Sequence, residues 1–316
     1  MTGGSVADYA GPLFIAWQLT NRCGAHCLAC CEESGPDKAW SDELTRAEAV
    51  ELAARIAAAG VPYVAFGGGE PLSVPHCCEV FERLSAAGVA LKLETDGRYI
   101  DTAAAGLLST SFRCVQISVD GATASTHERV RPGSSFDAAI AAIERLCARG
   151  LAPQLVFVPN RFNVHEAVAT YELAVRLGCE AFVTGPLMRL GRAAAAWEEI
   201  ACEAEDWRCT VVALRERAAV AAVATRLCIY PWDILEEMQQ RRASPQAMLL
   251  IVPNGKVKLL NALPFVAADL RRVSLAQAWQ AYRDAWRSPV VSEFISACRA
   301  RPALLRHANE TWLLPQ

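Results

Sequence analysis

Three cysteines, Cys23, Cys27 and Cys30, stand in a C-x3-C-x2-C spacing shortly after the mostly apolar run Leu13 to Leu19. Cysteine thiolates hold the irons of an iron-sulfur cluster, and a four-iron cluster needs four ligands. A loop that supplies three therefore leaves one iron open to a small molecule. With 13 cysteines in the chain the spacing could also arise by chance, or it could hold zinc, although structural zinc sites usually take four protein ligands. Further on, Tyr63-Val-Ala-Phe66 runs into Gly67-Gly68-Gly69-Glu70-Pro71. This reads as a strand ending in glycines, which let a ligand come close to the backbone. The carboxylate that follows sits at a strand's C-terminal end, where barrel enzymes place their sites, and suits a ligand ammonium group.

The elements that must position these residues follow from the hydrophobic period. Apolar runs of strand length alternate with amphipathic runs of helix length, the pattern of a parallel α/β sheet. Strands are expected near Phe14 to Leu19, Tyr63 to Phe66, Leu91 to Glu94, Cys114 to Val119, Gln154 to Val158 and Ala181 to Thr184. Helices are expected near Thr45 to Ala59, Cys77 to Ala87, Ala103 to Leu108, Phe136 to Arg149 and His165 to Leu177, the last stopped by Gly178. Six such units suggest a partial (β/α)6 barrel of the TIM type, open on one side to a substrate.

With the cysteine loop after the first strand and Gly-Gly-Glu-Pro after the second, the chain resembles the radical S-adenosylmethionine (SAM) enzymes, whose fold is this same partial barrel. The resemblance implies that Cys23, Cys27 and Cys30 bind a 4Fe-4S cluster. It implies that the amino and carboxylate groups of SAM occupy the open iron, with Gly68, Gly69 and Glu70 around the amino group. Electron transfer from the reduced cluster would then cleave SAM to methionine and a 5′-deoxyadenosyl radical that abstracts hydrogen from a substrate. The chain departs from the family at Ala29, where an aromatic residue usually precedes the third cysteine and packs near the adenine. Cys31, beside Cys30, is read as a bystander.

The third strand ends in Glu94-Thr95-Asp96-Gly97, where many members read Thr-Asn-Gly, and the fourth in Ser118-Val119-Asp120-Gly121, resembling Ser-Leu-Asp-Gly. Thr95, Ser118 and Asp120 are thereby cofactor candidates. Asp96-Gly97 and Asp120-Gly121 are equally explained as turns closing strands. His127 to Phe136 resembles the segment in which an arginine reaches the SAM carboxylate, for which a planar donor fork is suited. Arg131 fits best, Arg129 is the fallback, and His127 reads as a turn residue.

At 316 residues, 53% hydrophobic and net charge −3, the chain suits one large α/β domain plus an extension and requires no strongly basic surface, so nucleic acid is not an expected partner. No signal peptide or membrane span is read, and a cytoplasmic location is expected. In that reducing setting the cysteines are expected as free thiols or metal ligands.

The expected division is a tail over 1–12, the barrel over 13–192 and an extension over 193–316. Gly191-Arg192-Ala193 after the sixth strand resembles radical SAM enzymes with a SPASM or twitch extension, a cysteine-rich module holding auxiliary clusters. Met248 to Leu260 reads as a hairpin with an Asn254-Gly255 turn, and Ala268 to Trp279 as a loop feeding a capped helix. Both match the SPASM frame, yet Leu259-Leu260-Asn261-Ala262 stands where its first cysteine belongs, and no cysteine lies between Cys228 and Cys298. Cys202, Cys209, Cys228 and Cys298 follow no ligand pattern, so the extension reads as a degenerate SPASM-like scaffold and the cluster count as one. Electrons must then come from an external reductant such as a flavodoxin or ferredoxin.

A SPASM-like extension makes maturation of a ribosomally made peptide the leading class by resemblance: crosslinking, epimerisation or decarboxylation. Only about a dozen residues precede the first strand on the period reading, so a separate leader-binding protein is expected. The alternatives are modification of a small metabolite (a sugar, amino acid or tetrapyrrole side chain) and a non-catalytic metal-binding protein. A passive metal site would need neither Gly-Gly-Glu-Pro nor Ser118 and Arg131. Tyr230, Trp232, Asn261, His307 and Glu310 are weaker candidates for a substrate pocket.

Overall fold

In the computed structural model, whose described residues are 6–220 and 224–314, the strands β1 (Phe14–Thr20), β2 (Tyr63–Gly68), β3 (Ala90–Thr95), β4 (Cys114–Ser118), β5 (Gln154–Phe157), β6 (Ala181–Thr184) and β7 (Arg226–Ile229) lie side by side in chain order. Every neighbouring pair among them is parallel. Parallel pairing demands long crossovers. These are α1 (Arg46–Ala58), α2 (Cys77–Ala86), α3 (Thr102–Ser111), α4 (Ala124–Val130) with α5 (Phe136–Cys147), and α6 (Ala167–Arg176). The short α7 (Gly191–Ala195) and α8 (Trp197–Ile200) and the longer α9 (Ala204–Val220) join β6 to β7.

After α10 (Ile234–Ala243) the chain returns to the opposite edge. There β8 (Met248–Ile251) pairs parallel with β1, and β9 (Lys256–Lys258) and β10 (Phe265–Asp269) continue antiparallel. Beyond α11 (Leu275–Ala285) and α12 (Pro289–Ala300), β11 (Trp312–Leu313) closes the order β11-β10-β9-β8-β1-β2-β3-β4-β5-β6-β7. The mixed α/β fold with a parallel sheet is the one expected, and the six anticipated strands are all present. The seventh, β7, and the short α4 escaped the period analysis. The hairpin differs in detail from a two-residue Asn-Gly loop. Gly255 N–H donates to Val252 O at 2.9 Å, and Gly255 takes the left-handed conformation at φ +78°. The turn therefore spans Val252 to Gly255, with Pro253 inside it.

Side-chain alternation sorts the sheet's two faces. Ile15 and Trp17 of β1, Leu91 and Leu93 of β3, and Val115 and Ile117 of β4 are buried against the helices. There Trp17, Phe66, Phe81 and Phe112 pack ring against ring, tilted at Trp17–Phe66 and Phe66–Phe81, the latter with centroids 4.7 Å apart, and edge to face at Phe81–Phe112. α1 buries Ala49, Leu52, Ala53 and Ile56 at helical spacing and is started by a Thr45–Glu48 capping box. The opposite parity, Phe14, Ala16 and Gln18 of β1 with Lys92 and Glu94 of β3, lines a cavity of about 420 Å³ on the concave face. Among the described residues no helix is long and apolar enough to cross a membrane.

Candidate active site at the C-terminal strand ends

β1 ends at Thr20, and residues 21–45 hold neither helix nor strand beyond a single bridge between Arg22 and Gly35. This irregular stretch carries the three cysteines, and its backbone is tied to other elements. Gly69 N–H donates to Thr20 O at 2.7 Å and Glu70 N–H to Arg22 O at 2.9 Å, which stitches the end of β2 to the entrance of the cysteine loop. A Cβ on Gly69 would stand 2.1 Å from Arg22 O, and one on Gly68 2.6 Å from Thr20 O, so the approach is open only to glycine. Two further bonds, His26 N–H to Pro132 O at 2.7 Å and Leu28 N–H to Val130 O at 2.9 Å, bracket the loop against the end of α4. Their register sets Cys27 opposite Arg131.

Cys23 is buried and Cys27 and Cys30 are half-buried, all as free thiols. Cys23 Sγ accepts from Ala25 N–H at 3.4 Å and Cys30 Sγ from Ser34 N–H at 3.3 Å. Burial pushes the Cys23 thiol up to about 11. Burial also raises that of Cys27, against the opposing pull of the Arg131 charge. Cys23 feels the charges of Cys27, Asp96 and Glu70, and Cys27 those of Arg131, Cys30, Asp120 and Asp96, so cysteines, carboxylates and arginine share one neighbourhood. Among the described residues no three His, Cys, Asp or Glu groups converge on a single metal ion. A four-iron cluster asks for something else, since each of its thiolates bonds a different iron.

Glu70 is 1% exposed. Its carboxylate accepts from Thr95 Oγ1 at 2.9 Å, Asp96 N–H at 3.0 Å and Leu72 N–H at 3.1 Å. Burial, with Asp96 close by, pushes it up to about 8; an ammonium group beside it would favour the ionised form. Thr95 therefore faces Glu70. Asp96 is held by Arg98 at 2.7 Å, and Arg98 Nη2 reaches Gly133 O at 2.7 Å while its guanidinium lies over Gly24. Sequence reasoning passed over Arg98, and only its place after an Asp-Gly turn hinted at it.

At the end of β4 the half-buried Ser118 hydroxyl makes no hydrogen bond among the described residues. Asp120 is fully engaged: Oδ2 pairs with Arg131 Nη1 at 2.9 Å, and Oδ1 accepts from Val158 N–H at 2.7 Å. Asp120 N–H donates to His127 Nδ1 at 3.1 Å, and His127 Nε2 meets Ser134 Oγ at 3.0 Å. Burial, then the Arg131 charge, drive the imidazole down to about 4, so it is neutral. His127 is thus an internal strut of the Asp120–Arg131 turn. Arg131 Nε is buried without a partner, an open donor that costs about 1–3 kcal/mol until an acceptor such as a carboxylate reaches it. Arg129 stacks on Phe162, 4.2 Å from the ring centroid, and is committed there. Three thiols, a glycine cradle, a buried carboxylate and an arginine with one open donor form a set that fits a thiolate-held cluster with an amino-acid-bearing ligand.

Below this lies the 420 Å³ cavity, with Gln18, Glu94, Met188, Tyr230 and Asn261 in its walls. Asn261 Oδ1 is buried without a partner there. His307 and Glu310 bond each other at 2.7 Å elsewhere, with Glu310 in the wall of a separate cavity of about 850 Å³. Trp279 and Trp286 are core residues.

An irregular cysteine loop at the mouth of a parallel sheet, facing an anionic cradle, defines a barrel-type cofactor site. The sequence model of the Radical SAM superfamily matches residues 17–174, and the chain belongs to that superfamily, whose cofactors are SAM and a 4Fe-4S cluster. Among curated relatives, the mycofactocin maturase MftC of Mycobacterium ulcerans is 35% identical over 60% of this chain and 51% of its own length. An AdoMet-dependent heme synthase of Methanosarcina barkeri is 32% identical over 59% and 54% respectively. The chain spans about half the length of these relatives. Streptococcus suis SuiB, solved with S-adenosylmethionine bound, superposes with a TM-score of 0.72 at 12% identity, covering 94% of this chain and 72% of SuiB. That likeness concerns the fold.

Proposed function

We propose that the chain is a peptide-maturing radical SAM enzyme in which Cys23, Cys27 and Cys30 hold the cluster. Gly68, Gly69 and Glu70 receive the SAM ammonium group, and Arg131, steadied by Asp120, receives its carboxylate. Ser118, with its free hydroxyl, is left to a ribose or carboxylate contact. Thr95 supports the site through Glu70. Bound together, cluster and SAM supply one-electron cleavage of a SAM carbon–sulfur bond and hydrogen abstraction from the substrate. The protein's part is to fix the methionyl end between two opposite charges and to present the substrate from the cavity beneath. The buried Arg131 Nε, a donor left without a partner opposite Cys27, carries this reading, since a carboxylate is the acceptor that would satisfy it beside the thiols.

A peptide is favoured over a tetrapyrrole by the cavity walls. At about 420 Å³, with the ion pairs Lys92–Glu94 and Glu237–Arg241 among largely apolar walls, the space suits one amino-acid side chain better than a whole tetrapyrrole. The similarity to MftC supports the same class, and the heme synthase similarity keeps a metabolite as the second reading. An external reductant of the flavodoxin or ferredoxin kind and a leader-binding protein belong to the proposal. The test is iron, sulfide and Mössbauer analysis of anaerobically reconstituted protein beside its Cys23, Cys27 and Cys30 triple alanine variant, followed by dithionite reduction with SAM. About four irons per chain, lost in the variant, together with 5′-deoxyadenosine release by the wild type alone, are expected. Irons retained by the variant would overturn the ligand assignment. Mass spectrometry of short peptides encoded beside the gene, after incubation with enzyme, separates the two substrate classes.

A further inference from the structure

The Gly191-Arg192 pair that opens α7 lies outside the stretch matched to the superfamily, yet it grips the cysteine loop. Arg192 Nη1 donates to Cys27 O at 2.7 Å and Nη2 to Ser34 O at 2.6 Å, while its backbone N–H donates to Cys30 O at 3.0 Å. One residue thus holds the carbonyls of two proposed ligands and of the loop's far end. A Cβ on Gly191 would stand 2.3 Å from Cys31 O, so glycine is what lets α7 start in contact with the loop.

A planar guanidinium fixes the spacing of the two oxygens it bridges in a way a lysine ammonium does not. It also places a permanent positive charge against the segment that would bear the cluster. Reduction adds an electron there, and net charge, hydrogen bonding and exposure are what set a cluster's potential. A half-buried cation acts through a medium less polar than water, so its field at the loop is only partly screened. From this we infer that Arg192 is a positioning residue with an electrostatic task. Its fork holds the loop in shape, and its charge raises the cluster's midpoint potential, so that a weak external donor can reduce it.

The inference rests on Cys23, Cys27 and Cys30 holding the cluster, which the triple alanine variant tests independently. Reconstituted Arg192→Gln and Arg192→Lys are compared with wild type by iron content, by potentiometric titration followed by electron paramagnetic resonance, and by kcat and KM for SAM in substrate-free reductive cleavage. Arg192→Gln is expected to retain iron and to show a more negative midpoint potential. Its kcat should fall about 10- to 100-fold, the usual scale for residues just behind metal ligands, with KM for SAM little changed. Arg192→Lys, which keeps the charge, is expected to hold the wild-type potential. A wild-type potential in Arg192→Gln, or equal shifts in both variants, overturns the electrostatic task. If Arg192→Gln loses its iron, Arg192→Lys decides: iron and potential restored uphold the inference, and iron lost there as well reduces Arg192 to a brace and overturns it.

Discussion

Substituting Gly69 by alanine tests the junction on which the site is built. The added Cβ would stand 2.1 Å from Arg22 O, 2.6 Å from Arg22 C and 3.0 Å from Asn21 C. All three are backbone atoms, so no rotamer change can relieve the clash. The end of β2 and the entrance of the cysteine loop must separate, which breaks Gly69 N–H to Thr20 O and Glu70 N–H to Arg22 O. Overpacking costs about 1–3 kcal/mol, and the two hydrogen bonds add about 1 kcal/mol each. Relaxation cannot keep the bonds and also relieve the clash, so the expected loss is about 3–5 kcal/mol. Gly11, with nothing within 4 Å of its Cβ position and no left-handed backbone, is the control; Gly11→Ala should stay within about 0.5 kcal/mol of wild type. Urea unfolding of the metal-free protein reads both. Calorimetric SAM titration of reconstituted protein should show at least about a tenfold loss for Gly69→Ala, since Glu70 moves with its neighbour and 1.4 kcal/mol suffices for that factor. A Gly69→Ala protein as stable as Gly11→Ala, or one that binds SAM normally, would refute the argument that this contact sets the cradle.

Three further outcomes are expected. His127 is depressed from an ordinary 6.5 to about 4, so its contribution is complete above pH 6.5 and is lost as pH falls towards 4, by up to about 3 kcal/mol; urea midpoints from pH 4 to 8 should flatten on the acid side in His127→Gln. Glu70 is raised from 4.5 to about 8, so the ligand-free protein loses stability as pH rises through that window. Glu70→Gln should abolish that alkaline slope, and an unchanged slope would locate the titrating group elsewhere. Asp120→Ala leaves Arg131 buried and unpaired and Val158 N–H without its acceptor, for which a loss of about 3–5 kcal/mol is expected in chemical unfolding.

Much of the fold was legible because its signals are local. The strands from Phe14 to Thr184 are short apolar runs, and helices such as Arg46–Ala58 carry their own capping residues. β7 was missed because Arg226–Ile229 is only four residues long and half-exposed, and α4 because Ala124–Val130 is polar on most faces. The same division runs through the site. Cys23, Cys27, Cys30, Glu70 and Arg131 stand out as candidates because the short motifs that hold them resemble the family's. His127 as a neutral acceptor, Arg98 against Gly24 and Arg192 on Cys27 O depend on pairings between distant segments, which no local pattern encodes.

Those distant pairings explain how an irregular loop carrying the three candidate thiols is held in one shape. Residues 21–45 have almost no ladder of their own, and a buried backbone group left unpaired is costly. Glu70 N–H from β2, Val130 O and Pro132 O around Arg131, Arg192 at the head of α7, and Asn309 Nδ2 on Cys31 O at 2.8 Å each meet one of its groups. The loop therefore takes shape only when β2, α4, α7 and the last turns before β11 have all arrived. Chain segments C-terminal to the matched stretch, α7 and Asn309, therefore also hold the loop that carries the proposed ligands. Residues near the C-terminal end of the described chain, Asn309 foremost, should influence iron retention although they touch neither proposed ligand side chains nor the cradle for SAM.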